Sequence, residues 1–301
     1  MNKRYPAVIL ATAVVPWDKD DRFQEDLFRR EVRMIRDQLT RHIYVFGTAG
    51  EGYAVSDRQF EDIVRVFCEE TLPHDACPMV GVISLSTATI VGRIQWCREL
   101  GIRDFQISLP AWEALTDPEI DIFFDTICQR FPDCQFLHYN LKRARRVLCG
   151  EDYARLAARH SNLVAAKVGR MDDVRQLTEL VSHAPEMQFF FTEQGYAAMR
   201  DHAECGYLIS KGLVHFESAR QFFAARDEEL AALANELQQV LWAVKETVGS
   251  QGHIDGAYDK LFVKVHLPEF PLRLLPPYTA ADDSCLATFL SRLPARWRKT
   301  P

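Results

Sequence analysis

From residue 7 to about residue 209 the chain alternates short, almost wholly apolar runs with longer segments whose apolar positions recur every three or four residues. The short runs fall at 7–15, 42–47, 79–83, 104–109, 135–139, 163–168, 187–191 and 206–209, and stretches such as VILATAVV and FQISL are apolar on nearly every residue. That pattern suits parallel strands covered on both faces, since a solvated face would impose a polar residue at every second position. The longer segments at 21–39, 57–70, 87–100, 118–130, 151–158, 172–181 and 196–204 read as the helices between them. Two carry start signals: Ser56 followed three residues later by Gln59 forms a capping box, and Pro118 after Asp117 fits a first helical turn. Eight such strands alternating with helices predict an α/β chain closed as a (β/α)8 TIM barrel. The competing doubly wound sheet would place a glycine-rich phosphate loop after the first strand, and VVPWDKDD has no glycine.

Beyond residue 215 the rhythm stops. The segment 219–248, rich in Ala, Leu, Glu and Gln, reads as one or two helices, 249–256 as a break, and 258–265 and 282–293 as two further helices around the proline-rich LPEFPLRLLPPY. The expected division is a barrel at 1–215 with additional C-terminal helices at 216–301 packed on it, a loosely attached domain being the alternative. With 301 residues and 48% hydrophobic composition, the chain can bury a large core without disulfides. Its eight cysteines are scattered and form no CxxC, as expected of reduced thiols in a cytoplasmic protein. The histidines form no HExxH motif, so no metal site is expected. A net charge of −6 offers no broad attraction to nucleic acid. The N-terminal apolar run is interrupted by Thr12 and Pro16 and reads as a strand, and no apolar stretch approaches the length of a membrane span.

Three features fall at the carboxyl ends of expected strands, where barrel enzymes keep their chemistry. The segment GTAGEG places Gly47, Gly50 and Gly52 around Thr48, Ala49 and Glu51. Its backbone can approach a ligand closely and offer N–H groups to a carboxylate; a tight turn between strand and helix is the plain alternative. Lys167 lies inside the apolar LVAAKVG. Desolvation favours the neutral amine, a nucleophile that forms a Schiff base with a carbonyl, whereas a structural reading makes it a buried ion-pair partner or a lysine snorkelling from the barrel end. Tyr139, in QFLHYN, ends the preceding strand. There its phenol can relay protons to and from Lys167, or simply pack as an aromatic.

With these residues in hand, the chain resembles the dihydrodipicolinate synthase and N-acetylneuraminate lyase family of class I aldolases, which are (β/α)8 barrels with a Schiff-base lysine. The family's GTTGE or GSTGE segment is similar to Gly47-Thr48-Ala49-Gly50-Glu51, its YN motif matches Tyr139-Asn140, and its strand-six lysine matches Lys167. The likeness runs from about Pro6 through PLRLLPPY. It implies that Lys167, Tyr139 and Thr48 are catalytic and that Gly47, Ala49, Gly50, Glu51 and Trp112 bind substrate. Two departures stand out. The family's second hydroxyl residue is Ala49 here, and where dihydrodipicolinate synthases carry a relay tyrosine and an arginine, this chain has Trp112 and Ala144. An indole does not transfer protons as a phenol does, which disfavours dihydrodipicolinate synthase itself. Trp112 at a pocket rim is similar to the arrangement in the family's hydratase-aldolases.

The resemblance therefore implies a lyase that forms an imine between Lys167 and a 2-oxo acid, first of all pyruvate, without metal or diffusible cofactor. It also implies a homodimer or homotetramer. A sugar-acid dehydratase or sialic-acid-type lyase is the alternative on the same fold. A non-catalytic keto-acid-binding or regulatory descendant is the alternative from another class.

Overall fold

The computed structural model describes residues 2–169, 173–249, 253–254 and 256–298. Eight parallel strands close into a barrel in chain order: β1 (Ile9–Thr12), β2 (His42–Val45), β3 (Cys77–Gly81), β4 (Asp104–Ile107), β5 (Gln135–Asn140), β6 (Leu163–Val168), β7 (Gln188–Phe191) and β8 (Gly206–Leu208), with β8 pairing back onto β1. This is the (β/α)8 barrel that the alternation predicts. The helices between the strands are α1 (Glu25–Gln38), α2 (Asp57–Thr71), α3 (Thr87–Glu99), α4 (Asp117–Cys128), α5 (Gly150–Arg159), α6 (Val174–His183) and α7 (Glu193–Met199). Four more follow the barrel: α8 (Phe216–Ala224), α9 (Asp227–Thr247), α10 (Gly256–His266) and α11 (Cys285–Arg292).

The chain divides into two compact units. One comprises Met1–Leu10 and Met79–Leu208, the other Ala11–Pro78 and Ile209–Pro301. In the first, β6 is buried at every position and pairs in register with β5 and β7, which is why its sequence shows no polar alternation. In the second, Val14, Ala49, Val263, Leu267 and Phe270 form an apolar cluster with Leu27 and Met34 against it. Helix α10 and the segment just after it thus share a core with the segments following β1 and β2.

Local chemistry sets the boundaries. The capping box before α2 is present: Ser56 Oγ accepts from Gln59 N–H at 3.3 Å, and Gln59 Oε1 accepts from Ser56 N–H at 2.9 Å. The first strand ends earlier than its apolar run because the Val14 N–H leaves the ladder for the Glu31 carboxylate, at 2.8 and 3.1 Å. Helix α1 begins at Glu25 rather than residue 21 because Asp18 Oδ1 captures the N–H groups of Asp20 and Arg22, holding 18–22 in a turn. Helix α7 covers 193–199 instead of 196–204, starting as soon as β7 ends. The segment expected as one or two helices is two, separated where the Arg226 guanidinium donates to the Ala224 and Ala225 carbonyls at 2.8 and 2.7 Å. Residue 172, the expected start of the sixth helix, and residues 250–252 and 255 of the expected break lie outside the described residues.

Candidate active site

In the first unit, the parallel ladder pairs Tyr139 of β5 with Lys167 of β6, and Lys167 in turn with Phe190 of β7. Residues in register share a face of the sheet, so the phenol and the amine come together. Lys167 is 1% exposed, and its Nζ lies 3.9 Å from the centroid of the Tyr139 ring. The preceding pair, His138 and Ala166, takes the opposite face by strand alternation. There His138 meets the Tyr153 hydroxyl at 2.8 Å and the edge of Phe124. Asn140 completes the YN motif by clamping the following loop: its Nδ2 donates to the Leu148 carbonyl and its Oδ1 accepts from the Leu148 N–H, both at 2.9 Å.

In the second unit, GTAGEG forms the turn after β2. Gly52 N–H donates to the Gly47 carbonyl at 3.3 Å and Glu51 N–H to the Thr48 carbonyl at 3.2 Å. Gly50 and Gly52 are pressed onto Phe46: a Cβ on either would stand 2.7 Å from Phe46 backbone atoms, so space alone requires glycine. The N–H groups of Ala49 and Gly50 have no hydrogen-bond acceptor among the described residues. Thr48 is half-buried beside them. The Ala49 side chain belongs to the cluster of Val14, Val263, Leu267 and Phe270, where a hydroxyl would be desolvated among apolar groups. That accounts for alanine at this position.

Glu51 is fully buried and both its oxygens are engaged within the protein. Oε1 accepts from Trp17 Nε1 at 2.9 Å and pairs with Lys260 Nζ at 2.6 Å, while Oε2 accepts from Leu275 N–H at 2.7 Å. Its carboxylate therefore holds the turn. Sequence reasoning missed Lys260 and Trp17 as members of this network. The one signal was a lysine interrupting the apolar positions of GAYDKLFVKV, the same kind of signal that singles out Lys167.

The loop after β4 leaves Trp112 82% exposed. Beyond β5, Ala144 is buried in a short 3-10 turn, and Arg146 is paired with Asp117 at 3.0 Å and Asp152 at 3.2 Å. The basic run 142–146 thus includes a structural salt bridge. Among the described residues no helix is long and apolar enough to cross a membrane.

The model of the dihydrodipicolinate synthetase family matches residues 6–258. A 4-hydroxy-tetrahydrodipicolinate synthase from Mesorhizobium japonicum is 26% identical over 170 residues, covering 56% of this chain and 57% of that protein, so the match spans little more than half of either. Among solved structures, the sialic acid aldolase of Ruminococcus gnavus, as a catalytic lysine mutant, superposes with a TM-score of 0.82 at 14% identity over 97% of this chain and 96% of its own. A prophage protein of the dihydrodipicolinic acid synthase family from E. coli K12, in complex with pyruvate, gives 0.81 at 13% identity over 95% and 96%. A Clostridium difficile protein in complex with mannosamine gives 0.80 at 19% identity over 94% and 96%. At these identities the structural likenesses show a shared fold.

Proposed function

Because the chain belongs to the dihydrodipicolinate synthetase family, we propose that it is a class I aldolase-type lyase acting on a small 2-oxo acid, with pyruvate the first candidate. The observation that carries this reading is a fully buried lysine inside an apolar strand, stacked on the tyrosine of the neighbouring strand. The neutral Lys167 amine adds to the C2 carbonyl, and the carbinolamine oxygen leaves as water once protonated. In the cleavage direction the imine is that of a 4-hydroxy-2-oxo acid: the electron pair of its C3–C4 bond passes to the iminium to give the pyruvate enamine, the C4 hydroxyl gives up its proton to a base, and the other fragment leaves as an aldehyde. Protonation of the enamine and hydrolysis then release the keto acid and regenerate the amine. Tyr139 moves the protons of these steps, and Thr48 orients the phenol or the water. The amides of Ala49 and Gly50, which have no acceptor among the described residues, take the substrate carboxylate, as N–H groups in a turn favour an anion. No metal or diffusible cofactor enters any of these steps.

The second substrate is assigned to the hydratase-aldolase type on the strength of Trp112, an indole where a relay phenol would serve dihydrodipicolinate synthesis. The eight free cysteines suit a cytoplasmic protein. A homodimer or homotetramer is supported by Leu85, Trp112 and Ile122, large apolar side chains exposed in one unit, and light scattering on the purified protein measures it directly.

Intact-mass spectrometry after borohydride reduction with pyruvate tests the chemistry. The native protein should gain one reduced pyruvyl adduct, Lys167→Ala should gain none, and Tyr139→Phe should form it roughly a hundredfold more slowly. If the folded native protein traps neither pyruvate nor longer keto acids, the Schiff-base lyase reading fails. Where the adduct forms, aromatic aldehydes and amino sugars offered as second substrates separate a hydratase-aldolase from a sialic-acid-type lyase.

A further inference from the structure

Among the described residues of the unit made of 11–78 and 209–301, three ionisable side chains are fully buried: Glu31 of α1, Glu51 of the turn after β2 and Lys260 of α10. Lys260 Nζ pairs with Glu51 Oε1 at 2.6 Å and donates to the Arg273 carbonyl. Burial pushes its amine down to about 8 against the pull of Glu51, so at neutral pH it keeps its proton. The Glu31 carboxyl, spent on the Val14 N–H, is held well above the usual carboxylate range by burial, which favours its neutral form. The negative charge that Lys260 faces at close range is therefore that of Glu51.

Glu51 is the next residue after Gly50, whose N–H, with that of Ala49, is free to meet an anion. A desolvated carboxylate on the adjoining residue opposes a second one, because nothing in a buried site screens the pair. The turn takes an anionic substrate only if Glu51 is neutralised, and no solvent reaches Glu51 to do so. Held by Trp17, Leu275 and Lys260, its carboxylate also cannot swing away from the turn.

We propose that Lys260 is a positioning residue for keto-acid binding: from α10 it fixes and neutralises Glu51, so that the Ala49 and Gly50 amides present an uncharged anion site. The inference rests on the reading that this turn receives the substrate carboxylate. It places a determinant of substrate affinity in a helix outside the barrel strands, on a side chain that touches no substrate.

The test measures the pyruvate concentration giving half-saturated borohydride trapping, and the trapping rate at saturation, for the native protein and three variants. Lys260→Met should raise the half-saturating concentration about tenfold or more, with the saturated rate kept within about twofold. Glu51→Gln removes the carboxylate and with it the pull that keeps the proton on buried Lys260, so the site stays uncharged and the half-saturating concentration should remain within about threefold of the native value. The double variant Glu51→Gln/Lys260→Met removes both charges and should return it to within about threefold of the native value. Deleting the second partner of a buried ion pair restores stability as well, so the saturated rate separates the two roles: a disturbed turn lowers it, whereas a change of charge alone raises the half-saturating concentration and leaves the rate unchanged. The proposal is overturned if folded Lys260→Met saturates at the native concentration, or if the double variant is no better than Lys260→Met. Should Lys260→Met not fold, pH decides: the half-saturating concentration of the native protein should rise between pH 7 and pH 9 as Lys260 loses its proton and stay flat in the double variant, and the same pH dependence in both overturns the proposal. A native protein that forms no Lys167 adduct is a different result, the failure of the Schiff-base reading itself.

Discussion

Adjacent residues of β5 meet opposite environments. Tyr139 shares a face with Lys167, while His138 is turned to the other side and sealed under α4 and α5, against Phe124 and Tyr153. Burial pushes the His138 imidazole down to about 3. In the unfolded chain the same ring takes a proton near pH 6.5. Between these values the unfolded chain holds more protons than the folded one, so stability rises with pH through the window and is lost as pH falls below about 6.5. At pH 5 the loss amounts to about 2 kcal/mol. Asp104, pushed up to about 6 by its own burial, has the opposite sign, since the folded protein holds its proton more tightly and acid relieves the cost of burying it. Comparing the native protein with His138→Gln cancels that contribution. Urea unfolding at pH 7 and pH 5 should show the native protein losing about 2 kcal/mol more than the variant. Equal losses would show that His138 is charged in the folded state.

At the scale of elements, a helix holds where its first amides find partners. Ser56→Ala removes one half of the capping box before α2 and should cost about 1 kcal/mol, read as a shift of the urea midpoint with an unchanged slope. No shift would mean that water replaces the serine at no cost. This cap, the eight apolar runs and the Tyr139–Lys167 pairing were all legible in the sequence, because each depends on residue types at short, fixed spacing or on a charge set in an apolar strand. What could not be read depends on side chains that intercept backbone groups. Glu31 reaches the Val14 N–H and ends β1, Asp18 delays α1, and Arg226 separates α8 from α9 with no glycine or proline to announce it. The site divides in the same way. Lys167 is conspicuous among alanines and valines, whereas Lys260, four residues before Lys264, imitates one edge of a solvated helix face, and its partner Glu51 lies far away in the chain.

At the scale of the whole molecule, the question is whether the barrel stands without the helices that follow it. The rhythm of the sequence suggests a barrel ending near residue 215, but the unit that holds β2 and its turn is completed by residues from 209 onward. Cutting the chain after residue 215 removes Val263, Leu267 and Phe270 from the cluster around Val14 and Ala49. It also removes Lys260 and the Leu275 N–H from the Glu51 carboxylate. Leaving a buried charge without its partner costs about 3–5 kcal/mol, and stripping large apolar side chains from a core costs roughly 2–5 kcal/mol each. Together these losses equal or exceed the total stability of about 5–15 kcal/mol typical of a folded domain. Residues 1–215 should therefore retain helix by far-ultraviolet circular dichroism yet lose the near-ultraviolet signal of fixed aromatics and unfold without a cooperative transition. Full-length Lys260→Met, which keeps the apolar partners, should still unfold cooperatively, with a lower midpoint. A sharp, two-state transition from residues 1–215 would instead show that water or a neighbouring group satisfies Glu51 once the C-terminal helices are gone, and that the barrel folds on its own.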